Sequence, residues 1–146
     1  MRNIIFSILT LFLFYGCESN ILGFDCHDGD IDVSAPSLNM DENGYYHLDY
    51  DGNSWQTFTT LNAWVGITYH GVSWYTESSY DFIDDFGNEY TLDVVNSSSI
   101  SDSDGLAHTV LGVIQEMIGD TITVYAGYND YCSNFNLNSI MVIIDE

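Results

Sequence analysis

The sequence is almost empty of positive charge. One residue of 146 is basic, Arg2, and lysine does not occur. All 22 acidic residues lie from Glu18 onward, so the chain beyond position 17 carries a formal charge of −22. No basic patch exists there to hold phosphate, which excludes nucleic acid as a partner. Electrostatic attraction to anionic lipid headgroups is excluded for the same reason. Repulsion among so many like charges calls for screening by salt or for bound cations. Proline is nearly as scarce, and the single one, Pro36, rules out a proline-rich stalk. Catalytic signatures are missing as well. Neither Gly-x-Ser-x-Gly nor His-Glu-x-x-His occurs, and the four histidines, at 27, 47, 70 and 108, are scattered. A non-enzymatic chain is expected, with a small hydrolase as the weakest alternative. The 46% hydrophobic content argues for a packed core rather than disorder.

What is present begins with Met1-Arg2-Asn3, an apolar run from Ile4 to Tyr15, and Gly16-Cys17. A short basic start, a greasy centre and a small residue before a cut site predict a secretory signal peptide over residues 1–16. The run is shorter than the about 20 apolar residues a spanning helix needs. Phe14-Tyr15-Gly16-Cys17 resembles a bacterial lipobox, in which the cysteine is acylated and becomes the new N-terminus. Phe14 and Tyr15 depart from its usual Leu and small residue. The resemblance implies lipidation at Cys17 and a membrane tether at a bacterial cell envelope, on the outer membrane or cell surface. Plain secretion and an uncleaved anchor are the alternatives.

Removing residues 1–16 leaves 130, the size of one domain. Cys26 and Cys132 remain as an even pair for an oxidising compartment, and a disulfide between them is expected. Closing a loop of about 100 residues contributes up to about 4.7 kcal/mol in the chain-entropy account. Free thiols or a metal pair are the alternatives, though zinc needs more ligands than Cys26, Cys132 and His27 supply.

Residues 17–40 lack periodicity and read as an acidic tether, with Ile31-Asp32-Val33 a candidate edge strand. From 41 to 146 the pattern is β. Asp41-Glu42-Asn43-Gly44 and Asp51-Gly52-Asn53 are turn sequences. Alternation places Thr59, Leu61, Ala63, Val65 and Ile67 inward, then Val72 and Trp74, then Ala107, Thr109, Leu111 and Val113, then Ile122, Val124 and Ala126. Residues 80–95 predict a hairpin around Gly87-Asn88, and 139–144 the last strand. Residues 96–105 and 127–138 predict loops. Residues 114–117 either prolong a strand or form a helical turn. About seven or eight short strands with turn signals every 8 to 12 residues indicate an antiparallel β-sandwich, with a barrel as the alternative.

Ser103-Asp104-Gly105-Leu106-Ala107, Leu111 and Gly119-Asp120-Thr121-Ile122-Thr123-Val124-Tyr125-Ala126 resemble the end of a bacterial immunoglobulin-like domain of the intimin and invasin kind. Val72-Ser73-Trp74 resembles the strand that carries the core tryptophan of such domains. The resemblance implies an immunoglobulin-like sandwich used as a spacer or adhesion module. This chain departs from the family in its single copy, its 127–138 insertion and its lack of cations.

Two groups of residues are candidate sites. Asp25, Asp28, Asp30 and Asp32 form an acidic segment in which Asp28-x-Asp30-x-Asp32 has the first three ligand positions of a calcium loop. Val33 stands where that loop needs Gly and Asn39 where it needs Glu, so it is no EF-hand. A looser oxygen cage makes calcium the candidate cofactor, and turn-forming Asp in an acidic chain is the plainer account. Tyr75 and Tyr125, on the outward positions of their strands, with Tyr128, Asp130 and Tyr131 following, form an aromatic group flanked by polar side chains. Such a surface suits a glycan or a protein partner. The plainer account is that tyrosine is a good strand former.

Overall fold

Alternation of apolar and polar residues over 56–64 and 106–114 yields two long strands. Their inward side chains, Thr59, Leu61 and Ala63 on one and Ala107, Thr109, Leu111 and Val113 on the other, are all buried. The computed structural model describes residues 29–77, 79–83 and 87–146, without the side chains of Phe82 and Tyr90. Among these residues eleven strands occur and no α-helix. They are β1 (Asp32–Ser34), β2 (Asn39–Met40), β3 (Tyr46–Asp49), β4 (Gln56–Trp64), β5 (Gly71–Thr76), β6 (Tyr80–Ile83), β7 (Glu89–Leu92), β8 (Ser98–Ile100), β9 (Leu106–Ile114), β10 (Thr121–Asn129) and β11 (Phe135–Asp145).

One sheet has the order β1-β4-β9, and a second has β2-β3-β11-β10-β5-β8, while β6 and β7 pair as a separate hairpin. A single core takes Leu61, Leu111 and Val113 from the first sheet and Trp74, Val124, Val142 and Ile144 from the second. The architecture is all-β and sandwich-like. Apolar faces of two sheets are covered by each other, the usual solution for strands that alternate.

Several expectations change. The described strands outnumber the expected seven or eight because β2 and β8 are edge pieces of two and three residues, below what alternation can show. The large sheet is mixed rather than antiparallel. β3 runs parallel to β11, with Tyr46 opposite Val142 and Leu48 opposite Ile144. Parallel neighbours need a long connection, and here almost the whole domain lies between them. Residues 31–40 belong to the fold and not to a tether. Ile31, Val33 and Ala35 are buried, and β1 pairs with β4 through Val33 and Ala63.

The expected 96–105 loop contains β8, which pairs with β5. Its serines satisfy the core tryptophan, since Trp74 Nε1–H donates to Ser99 Oγ at 2.8 Å and the Trp74 backbone N–H to the Ser97 carbonyl at 2.9 Å. The expected 127–138 loop shrinks to a turn, because β10 runs to Asn129 and β11 begins at Phe135. Phe135 and Gly127 explain this extension. A Cβ on Gly127 would stand 2.7 Å from the Phe135 ring, so the ring lies across the bare backbone. Residues 115–117 form a single 3₁₀ turn rather than more strand.

Candidate functional site

Trp74 and Ala126 face the core as cross-strand partners, so their neighbours Tyr75 and Tyr125 face outward as the next pair. The two rings stack with centroids 4.9 Å apart and planes 8° from parallel. Tyr125 Oη–H donates to the Glu77 carboxylate. That bond is the main cause that raises the Tyr125 hydroxyl pKa above its ordinary value. Along the same outer face Phe135, Leu137 and Met141 are exposed, and Ser139 stands opposite Tyr125. The face offers aromatic surface, small polar groups and a carboxylate.

Beside Tyr75 lies an open cleft of about 210 Å³ lined by Trp74, Tyr75, Thr76, Ser79, Asp93 and Ser97 among others. It forms where the chain crosses between sheets. Val95 bridges to Leu111 in the small sheet, and two residues later Ser97 pairs with Trp74 in the large one.

The rest of the expected aromatic group does not assemble. Tyr128 is 2% exposed, an inward residue of β10, and its hydroxyl lies 3.4 Å from the Gly29 carbonyl. Burial raises its pKa. Asp130 is also buried, and its carboxylate holds the turn. It accepts the backbone N–H groups of Cys132 and Asn134, at 2.8 and 2.7 Å, and the Asn134 side-chain amide at 2.8 Å. Both corrections follow from β10 running on past Gly127, which carries the alternation inward at Tyr128. Tyr131 is exposed, but it sits in the turn after Asn129, roughly 13 Å of strand beyond Tyr125. Its ring meets His70 edge-on at 5.5 Å.

Of the acidic segment, Asp25 and Asp28 lie outside the described residues, as do the predicted signal peptide, Cys17 and Cys26. Asp30 and Asp32 are exposed, Asp32 on β1 opposite Trp64. Among the described residues no group of three His, Cys, Asp or Glu side chains could hold a metal ion. No helix among them is long and apolar enough to cross a membrane. Cys132 is not a free thiol, and its expected partner, Cys26, lies outside the described residues.

Sequence reasoning missed a clamp around His47. Its Nδ1–H donates to Asp145 Oδ2 at 2.7 Å, and Asp41 Oδ2 stands 3.6 Å from Nε2. The hydrogen bond to Asp145 is the main cause that raises the His47 pKa above 6.5. Asp41 is shifted the other way, chiefly by the Tyr45 backbone N–H. The clamp joins the β2–β3 turn to the last strand, 98 residues from His47, so no local pattern could reveal it. A raised histidine pKa contributes stability that is complete below 6.5 and lost as pH rises through the folded-state value. A depressed aspartate pKa contributes stability that is lost as pH falls below 3.8. The melting temperature is therefore expected to peak between these values and to decline from pH 6 to 9. His47→Gln should flatten that decline. An equal decline in the variant would mean that the His47 clamp does not set it.

No protein-family model matches the sequence, and no curated protein matches it. Among solved structures, the chain is similar to the sporulation control protein Spo0M of Bacillus subtilis at 10% identity and a TM-score of 0.33. It is similar to a DUF4466 family protein of Parabacteroides merdae at 9% identity and a TM-score of 0.32. The alignments cover 81% and 77% of this chain but only 49% and 42% of those proteins. At these scores neither likeness bears on the fold or the function.

Proposed function

We propose that this chain is a non-enzymatic interaction module, an immunoglobulin-like sandwich tethered through acylated Cys17 to a bacterial cell envelope. The observation that carries the reading is the Tyr75–Tyr125 stack on the outer face of the large sheet. Two large aromatic side chains left at the surface, beside exposed Phe135 and Leu137, suit contact with another molecule. The strand orders β1-β4-β9 and β3-β11-β10-β5, with a core tryptophan on β5, support an immunoglobulin-like arrangement. A Cys26–Cys132 disulfide would pin the segment before β1 to the turn after β10. A glycan is a second reading of the same face, favoured by the parallel rings with a hydroxyl and the Glu77 carboxylate beside them. Calcium-dependent adhesion and hydrolysis have no observation in their favour.

Two measurements test the proposal. Mass spectrometry of the membrane fraction should find an acylated Cys17 at the mature N-terminus, and any other N-terminus overturns the tether. A glycan array probed with the wild type and with Tyr125→Ala decides the ligand class. Signals that vanish in the variant favour the glycan, while a blank array leaves a protein partner as the reading.

A further inference from the structure

We propose that a second site, at the end of the sandwich around Trp55, captures a lysine or arginine side chain from a basic segment of a partner protein. This rests on the reading of the chain as a binding module but uses none of the residues of the Tyr75–Tyr125 face. Trp55 follows the turn at 51–54 and is 67% exposed, the kind of exposure that marks a contact residue when a cleft adjoins it. The cleft is open, about 190 Å³, and is lined by Tyr50, Trp55, Ile114, Gln115 and Glu116.

Each wall has a physical basis. Tyr50 is fixed at both ends, its backbone N–H donating to the Asp145 carbonyl at 3.0 Å and its hydroxyl to the Ser54 carbonyl at 2.5 Å. The 3₁₀ turn after β9 presents Gln115 and Glu116, both exposed. Ile114, buried, supplies an apolar floor.

Two aromatic rings, an apolar floor and a carboxylate match the stem and head of a long cationic side chain. The stem packs on apolar surface while the head meets the ring faces and the carboxylate. Charge complementarity selects this occupant. No lysine or arginine follows Arg2, so the domain has none of its own to lay over Trp55. Its charge of −22 attracts basic partners and repels acidic ones. Size agrees, since the cleft falls below the about 300–1,000 Å³ of sites that enclose whole small molecules. One side chain of a larger partner fits better than a free ligand.

The test follows the Trp55 indole N–H resonance of the full chain in non-ionic detergent, at physiological salt. Titrants are an oligolysine peptide, the same peptide acetylated at every Nε, and chitohexaose. The oligolysine peptide should shift the resonance saturably and the acetylated one should not. Trp55→Ala, followed by calorimetry, should weaken oligolysine binding about tenfold, and Glu116→Gln by several-fold. Trp64→Ala, at the far end of β4 and part of neither face, should leave binding unchanged. Trp55 is mostly exposed, so its variant should melt close to the wild type. Equal oligolysine affinity of Trp55→Ala and wild type would mean diffuse attraction to an acidic surface and would overturn the site. A shift produced equally by the acetylated peptide, or by chitohexaose alone, would overturn the ligand class. None of these failures touches the Tyr75–Tyr125 face, which the array tests separately.

Discussion

Trp74→Ala is expected to lower the unfolding free energy by about 3–5 kcal/mol, the usual cost of removing a large aromatic side chain from a packed core. Trp74 is 2% exposed and among the largest fully buried side chains described. It stands opposite Ala126 on β10, a pairing of large with small that lets two layers approach. Its indole N–H is satisfied by Ser99 and its backbone N–H by Ser97. Truncation therefore opens a cavity and also loosens β8, an edge strand of only three residues. Trp64→Ala is the control, because Trp64 is 47% exposed on the outer face of the small sheet, and its loss should cost less than about 1 kcal/mol. Urea unfolding of both variants decides the matter. If Trp74→Ala lay within 1 kcal/mol of the wild type, the two sheets would not be closing on this residue.

Gly105→Ala should cost about 2–4 kcal/mol, combining left-handed backbone strain with a steric clash. Gly105 has φ of +78°, and a Cβ there would lie 2.9 Å from the Gly66 backbone. Neither partner can yield easily. Gly105 sits in a turn held by the Asp102 carboxylate, which accepts the N–H groups of Asp104 and Leu106 at 2.8 and 3.0 Å. Its carbonyl accepts the Val65 N–H at 2.9 Å, so the turn before β9 is bonded to the end of β4. Gly52→Ala is the comparison. Gly52 has open space and no positive φ, and alanine there should be neutral or slightly stabilising. Thermal melts of the two variants should differ by about 10 °C. Equal melting would show that the 102–105 turn relaxes without involving Gly66.

These two positions show how much could be read in advance. Gly105 lies in the Ser103-to-Ala107 stretch, where turn chemistry is local and therefore legible. Trp74 was placed inward by a two-residue alternation with Val72. The same alternation put Leu61, Ala63, Leu111, Val124 and Ala126 inside, and all are buried. It failed at Tyr128, where polar neighbours and Gly127 disguised a strand that continues. It failed again at Ser98–Ile100, because a strand of three serine-rich residues has no periodicity to detect.

The candidate sites divide along the same line. The outward direction of Tyr75 and Tyr125 followed from period two, yet their stacking depends on a register between strands fifty residues apart. Asp130 was singled out as a polar neighbour of tyrosines, and its carboxylate turned out to organise its own turn.

Composition alone established that no lysine or arginine beyond Arg2 can pair with its 22 side-chain carboxylates. Alternation alone established an all-β chain and most of its inward residues, because both depend on neighbours within a few positions. The pairing of strands did not follow from either. The parallel contact of β3 with β11 brought His47 to Asp145. The meeting of the turn after β3 with the end of β9 set Tyr50 and Trp55 beside Glu116. Such contacts join segments tens of residues apart, and only the closing of two sheets on one core selects them.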